Sequence, residues 1–204
     1  MLTANEITII LEDNDVLKSV QKLKQDFRKD EAHYLDISDH DFLSLVMMMP
    51  SILISLSTGE ISFMEEMVLN KKARIISKGD FYLEKDPVVY AMEFLIKNAG
   101  KWEDRFYEVI KIAMSKSFDR SQINDEDTDA SKISDREFKK RLMNAPYIFI
   151  RFLHTFFWYD THEDLLDKKR ISKVEFEKMK KIGEKLELSK TILFRKFLDY
   201  FDVK

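Results

Sequence analysis

Two apolar segments, each built around a proline, repeat one another along the chain without a gap. Residues 37–56 align with residues 133–152 in a single register. Eight aligned pairs are identical: Ile37/Ile133, Ser38/Ser134, Asp39/Asp135, Phe42/Phe138, Met47/Met143, Pro50/Pro146, Ile52/Ile148 and Ile54/Ile150. Each copy opens with a serine placed to cap a helix and continues with apolar residues at helical spacing. Each then meets a proline, which lacks the N–H that a helix interior uses. A unit of this kind is expected to give a helix, a break at Pro50 or Pro146, and a second helix. The two apolar segments should lie side by side at the centre of a bundle. The match resumes after an insertion, where Ile61-Ser62-Phe63-Met64-Glu65 pairs with Ile171-Ser172-Lys173-Val174-Glu175. Both stretches carry the capping-box pattern, in which Ser and the acid three residues on cap each other's backbone N–H groups.

The rest of the chain reads the same way. Its 204 residues include only 4 Gly and 3 Pro, so few positions interrupt a helix. Val16, Val20, Leu23 and Phe27 share a helical face within residues 11–34, as do Trp102, Phe106, Val109, Ile110 and Ala113 within 102–118. Gly79 ends one helix, Asp86-Pro87 opens the next, and Gly100 closes it. Residues 119–132 are acidic and nearly free of apolar side chains, which reads as a mobile linker. Four further helices are expected near 134–144, 146–159, 172–186 and 189–201. The expected fold is all-α: a bundle of about nine helices with an internal pseudo-repeat. It comprises an N-terminal unit (1–118), the acidic linker (119–132) and a C-terminal unit (133–204), packed as one compact domain.

Charge and composition exclude several function classes. The chain has 34 basic and 37 acidic residues, without the basic excess of a general nucleic-acid binder. It has no cysteine, hence no disulfide, thiol nucleophile or Cys-based zinc site, which fits a reducing cytoplasm. The opening residues have no basic region followed by an apolar run, so no secretory signal is expected. The longest apolar stretch, Phe42 to Leu56, reads as too short to span a bilayer. Gly-rich phosphate loops, Gly-x-Ser-x-Gly, His-Glu-x-x-His and Glu-x-x-His are all absent from the sequence.

Four sets of residues are candidates for function. Phe63, Met64 and Met67 would form a protein interface if exposed. Arg151 and His154 lie one turn apart in a strongly apolar segment, where polar groups need partners, and would line a cavity or an interface. Asp160, His162, Glu163, Asp164 and Asp167 form a loop present only in the second unit, with the oxygen and imidazole groups that hold divalent metals. His40-Asp41 has the residue types of a metal-binding dyad but falls in a helix's first turn, where acids complement the helix dipole. No motif assembles a catalytic set. The leading expectation is a non-enzymatic binding or regulatory module with no cofactor, whose partner is another protein or a second copy of itself. The alternative is a divalent-metal-dependent enzyme or metal sensor using the Asp160–Asp167 loop or His40-Asp41.

Residues 57–73 run from an apolar helix through Thr58-Gly59-Glu60 into Ile61-Ser62-Phe63-Met64-Glu65. This stretch resembles the signature of TerB-like tellurite-resistance domains, which are helical. A second echo lies in Ile182-Gly183-Glu184-Lys185-Leu186-Glu187-Leu188-Ser189. Thr58 stands where that family carries its signature Asp, and Lys169 stands at the equivalent point of the second unit. The family's acidic, metal-associated positions are therefore not reproduced. The resemblance implies a helical stress-response or membrane-complex adaptor.

Overall fold

The computed structural model describes residues 1–79, 86–126, 128–157 and 169–204. Among them are ten α-helices and one small two-stranded sheet. The fold is all-α.

Most helices begin where a short polar side chain can accept a first-turn N–H. α1 (Ala4–Leu11) starts with a reciprocal Thr3/Glu6 capping box. Asp13 then accepts from the N–H groups of Asp15 and Val16 and starts α2 (Asn14–Glu31). α2 buries Val16, Val20, Leu23 and Phe27, the face read from the sequence. Ser38 caps α3 (Asp39–Ser55), and the Ser62/Glu65 capping box starts α4 (Phe63–Ile76). Asp86 caps α5 (Pro87–Lys97), with proline in the first turn where its missing N–H costs nothing. α6 (Ala99–Ser117) follows at once. Gly100 therefore sits inside the first turn of α6 rather than ending α5, which Asn98 closes.

The second half holds α7 (Asp135–Asn144), α8 (Tyr147–Phe157), α9 (Lys173–Lys185) and α10 (Ile192–Phe197). The single helix expected over 189–201 is instead a 3₁₀ turn (Leu188–Lys190), α10, and a second 3₁₀ turn (Leu198–Tyr200). Thr191 makes the difference: its extended backbone ends the first turn, and its hydroxyl caps the next helix at the Phe194 N–H. The short strand β1 (Lys169–Ile171) then pairs in parallel with β2 (Phe201–Val203).

α3 is the axis of the fold. Every residue from His40 to Ser55 is buried, and α1, α2, α4, α5, α6, α8 and α9 all pack against it. Of the second apolar segment, the part after Pro146 lies against the first, as α8 on α3, whereas α7 packs on α10. Pro50 does not break its helix, contrary to the sequence expectation. An interior proline costs about 3 kcal/mol, whereas each fully buried large apolar side chain contributes about 1.5–3 kcal/mol. With neighbours on every side, burial of the whole segment outweighs the proline. Around Pro146 the chain is partly or fully exposed, nothing comparable compensates, and the backbone breaks between α7 and α8. With its 3₁₀ extension (Leu56–Thr58), α3 is long and apolar enough by length and composition to cross a membrane, longer than its sequence suggested. Its most apolar window is 83% buried against the other helices, as in the central helix of a bundle.

The described residues of the acidic segment 119–132 are tied to the C-terminal helices rather than loose. Ile123 is buried, Asn124 bridges to Thr191, and Arg141 Nη1 pairs with Asp125 Oδ2 at 2.6 Å. Arg195 donates to the Thr128 carbonyl at 2.8 Å and to that of Asp125 at 2.5 Å.

Two aromatic groups fill the core. Phe27, Phe42, Trp102 and Phe106 pack around α2, α3 and α6, and Phe157, Phe194, Phe197 and Phe201 around α8, α10 and β2. α9 contributes Gly183, where a Cβ would stand 2.1 Å from Phe194 Cε1, so only glycine lets the ring approach. Glu31 joins the C-terminal end of α2 to the start of α6, accepting from Trp102 Nε1 (2.8 Å), Lys101 Nζ (2.8 Å) and Asn98 Nδ2 (2.6 Å).

Candidate functional site

The most concentrated buried polar chemistry among the described residues lies where α3, α4 and the end of α8 meet. Ser51 Oγ donates to the carbonyl oxygens of Thr155 (2.9 Å) and Phe156 (3.1 Å). Lys72 Nζ donates to Ser51 Oγ (2.5 Å) and to the Thr155 carbonyl (2.7 Å). Ser51 is 3% and Lys72 2% exposed. The carbonyls belong to α8, so side chains from α3 and α4 tie those helices to α8 through its backbone. Thr155 Oγ1 completes the cluster, donating to the Arg151 carbonyl and accepting the Leu2 N–H, both at 2.8 Å.

Burial shapes the titration of this cluster. Desolvation pushes the Lys72 ammonium down to about 7, assisted by the nearby positive Lys169. Desolvation also pushes His154 down to about 3, assisted by the amino terminus, Lys72, Lys169 and Arg151, so its ring is neutral at physiological pH. A lysine poised near neutrality beside a serine hydroxyl has the composition of a nucleophile–base pair. Here the hydroxyl proton is directed at two carbonyls and both side chains are buried, so the pair bridges α3, α4 and α8.

The sequence reading overlooked Ser51 and Lys72 because their partners are far along the chain. One signal was present. Leu69, Lys72, Ala73 and Ile76 follow helical spacing on the buried face of α4, so Lys72 occupies a core position.

Arg151 and His154 meet different neighbours. Arg151 Nε pairs with Glu6 Oε1 at 3.1 Å, and its guanidinium lies over the Tyr147 ring at 4.9 Å. His154 is half-buried beside the Lys72 cluster. Neither lines any of the four described clefts.

His40 and Asp41 are buried structural groups. His40 faces the Ala4 carbonyl through Nε2 (2.9 Å) and Asp41 Oδ1 through Nδ1 (3.3 Å). Asp41 also accepts the Ser38 hydroxyl (2.7 Å) and the Lys78 N–H (3.0 Å). Burial alone would lower the His40 pKa, but its contacts with Asp41 and the Ala4 carbonyl prevail and raise it. Burial would raise the Asp41 pKa, but its hydrogen bonds with His40, Ser38 and the Lys78 N–H prevail and lower it. The loop residues Asp160, His162, Glu163, Asp164 and Asp167 lie outside the described residues. Among the described residues no three His, Asp or Glu side chains gather as a metal site would require.

The exposed candidates lie on α4. Phe63 is 74%, Met64 66% and Met67 52% exposed, on the side opposite the buried Leu69, Lys72, Ala73 and Ile76. Two helical turns on from Met67, Ile75 continues the exposed stripe. Glu60 and Glu66 are exposed near its start, Lys71 and Arg74 near its end. Comparison with known proteins gave no match: no family model, curated protein or solved structure is similar to this chain.

Proposed function

We propose that this chain is a non-enzymatic, cytoplasmic regulatory module that acts through protein contacts, with the outer face of α4 as its docking surface. The observation that carries this reading is the exposure of Phe63, Met64 and Met67 on adjoining turns of one helix. Large apolar side chains gathered at the surface mark interfaces, and methionine suits surfaces that adapt to a partner. The charge layout specifies the partner. Glu60 and Glu66 at one end and Lys71 and Arg74 at the other call for an amphipathic helix lying antiparallel, with charges reversed end for end. A second copy of the chain supplies that helix through a two-fold, self-complementary contact. The aligned repeat supports an origin by duplication, and the TerB-like resemblance supports a stress-response setting.

Sedimentation analysis of the wild type and of a Phe63→Glu/Met67→Glu variant tests the proposal. A concentration-dependent dimer that the double substitution abolishes, with helical content unchanged, is the expected result. A wild type that stays monomeric at all concentrations, or a variant that still dimerises, overturns it. The same reading assigns the protein no metal, so stoichiometric metal in protein purified without chelator would favour the metal-dependent alternative.

A further inference from the structure

A cleft of about 800 Å³ opens on another face of the molecule, between the α5–α6 elbow and α9. Its apolar part comes from Leu53, Leu56, Ile96 and Ala99, with the exposed Val174 at the rim. Its charged part is one-sided: five lysines (97, 101, 173, 178 and 181) against Glu103 and Glu177. Two of those lysines are already matched, Lys101 to Asp30 and Glu31, and Lys178 to Glu103. Lys97, Lys173 and Lys181 have no carboxylate within ion-pair distance among the described residues. This excess of positive charge stands out in a chain whose net charge is -3. The first turn of α6 borders the same cleft without a side-chain cap, beside the C-terminal ends of α3 and α5, so the lysines rather than the helix ends set its charge.

We propose that this cleft binds a small organic carboxylate with an apolar body, its tail on Leu53, Leu56 and Ile96 and its head among Lys97, Lys173 and Lys181. The volume falls within the range of about 300–1,000 Å³ typical of small-molecule sites, and an apolar lining with a few convergent polar groups is their usual make-up. Either feature alone is ordinary. Exposed lysines are commonly just solvated, and an apolar floor alone selects no charge. Together they select a ligand that is anionic at one end and apolar along its length. Neither α4 nor the Lys72 cluster takes part, so the proposal stands apart from the docking function.

Decanoate is a suitable probe, titrated into the intact protein by calorimetry. Decanol, decyltrimethylammonium and acetate serve as comparators. Decanoate should bind with one-to-one stoichiometry, more weakly as salt is raised, and about tenfold more tightly than each comparator. A Lys97→Gln/Lys173→Gln/Lys181→Gln variant should lose about tenfold in affinity while keeping its melting temperature. Lys139→Gln/Lys140→Gln, at exposed lysines on α7, should leave binding unchanged, as should Phe63→Ser/Met67→Ser on α4. Equal binding of decanoate and decanol would overturn the proposal by showing non-specific apolar association. So would equal binding by the triple-lysine variant, loss of binding in the α4 variant, or capture of the protein by anionic lipid vesicles with no response to free decanoate.

Discussion

Lys72 donates a 2.5 Å hydrogen bond to Ser51 in a site that excludes water, and both side chains also donate to backbone carbonyls of α8. An ammonium wholly removed from water carries a desolvation cost, and in Lys72 that cost lowers the pKa in spite of these contacts.

That balance makes stability depend on alkaline pH. The unfolded chain holds the Lys72 proton up to about pH 10.5, whereas the folded protein releases it near 7. Between those values the unfolded state binds more protons, so stability rises with pH, by about 5 kcal/mol across the whole window. Lys72→Met should remove this contribution. Urea melts from pH 7 to 9.5 should show the wild type gaining on the variant, and a pH-independent difference would contradict the assignment.

Removing the hydroxyl has the opposite consequence. Ser51→Ala takes one donor from the Phe156 carbonyl and one acceptor from Lys72. It should destabilise the protein by about 1–3 kcal/mol, as expected when buried polar groups lose a partner. Circular dichroism during chemical unfolding would measure the change.

His154 should resist protonation. Its folded pKa of about 3 lies below the ordinary 6.5, so the unfolded state binds more protons between those values and stability falls as pH drops through that window. The ring signals in an NMR titration should stay those of neutral imidazole down to about pH 4. A midpoint near 6.5 would show that the ring is solvated.

The His40–Asp41 pair works through two limbs. Asp41, with its folded pKa lowered, contributes stability above its unfolded value that is lost as pH falls through the folded pKa. His40, with its folded pKa raised, contributes stability that is complete below 6.5 and lost as pH rises through the folded pKa. Asp41→Asn should therefore cost most between the two limbs, about 1.5–3 kcal/mol for a charged hydrogen-bond partner. The pH profile of the difference from wild type should be bell-shaped, and a flat profile would refute the coupling.

Gly183→Ala should destabilise by about 1–3 kcal/mol through overpacking, because the added methyl overlaps the Phe194 ring. Adding Phe194→Leu should recover part of that loss. Equal melting temperatures for Gly183→Ala and wild type would mean that the ring moves aside freely.

How far the sequence could be read depended on the range of the interaction. Ser38, Ser62, Asp86 and Ser172 each act on an N–H two or three residues away, so the helix starts they set were readable locally. The buried face of α2 follows from its own spacing. Pro50 was misread because the burial that holds α3 straight comes from helices far along the chain. The Ser51–Lys72 bridge has no local signature for the same reason, since it joins three segments that no motif spans. The exposure of Phe63, Met64 and Met67 could be read only as a condition, because a capping box fixes where a helix starts and not which face it turns outward.

The burial of α3 on every side also bears on how the chain acquires its structure. The flank carrying Ser51 is shared between α4 and α8, and α8 lies beyond the midpoint of the chain, so a polypeptide emerging from the ribosome through residue 118 would still lack part of that cover. Until the C-terminal helices arrive, a helix buried along almost its whole length is open to wrong partners. Residues 37–56 and 133–152 match in sequence, yet the first of them is not fully covered until α8 and α9 pack on it.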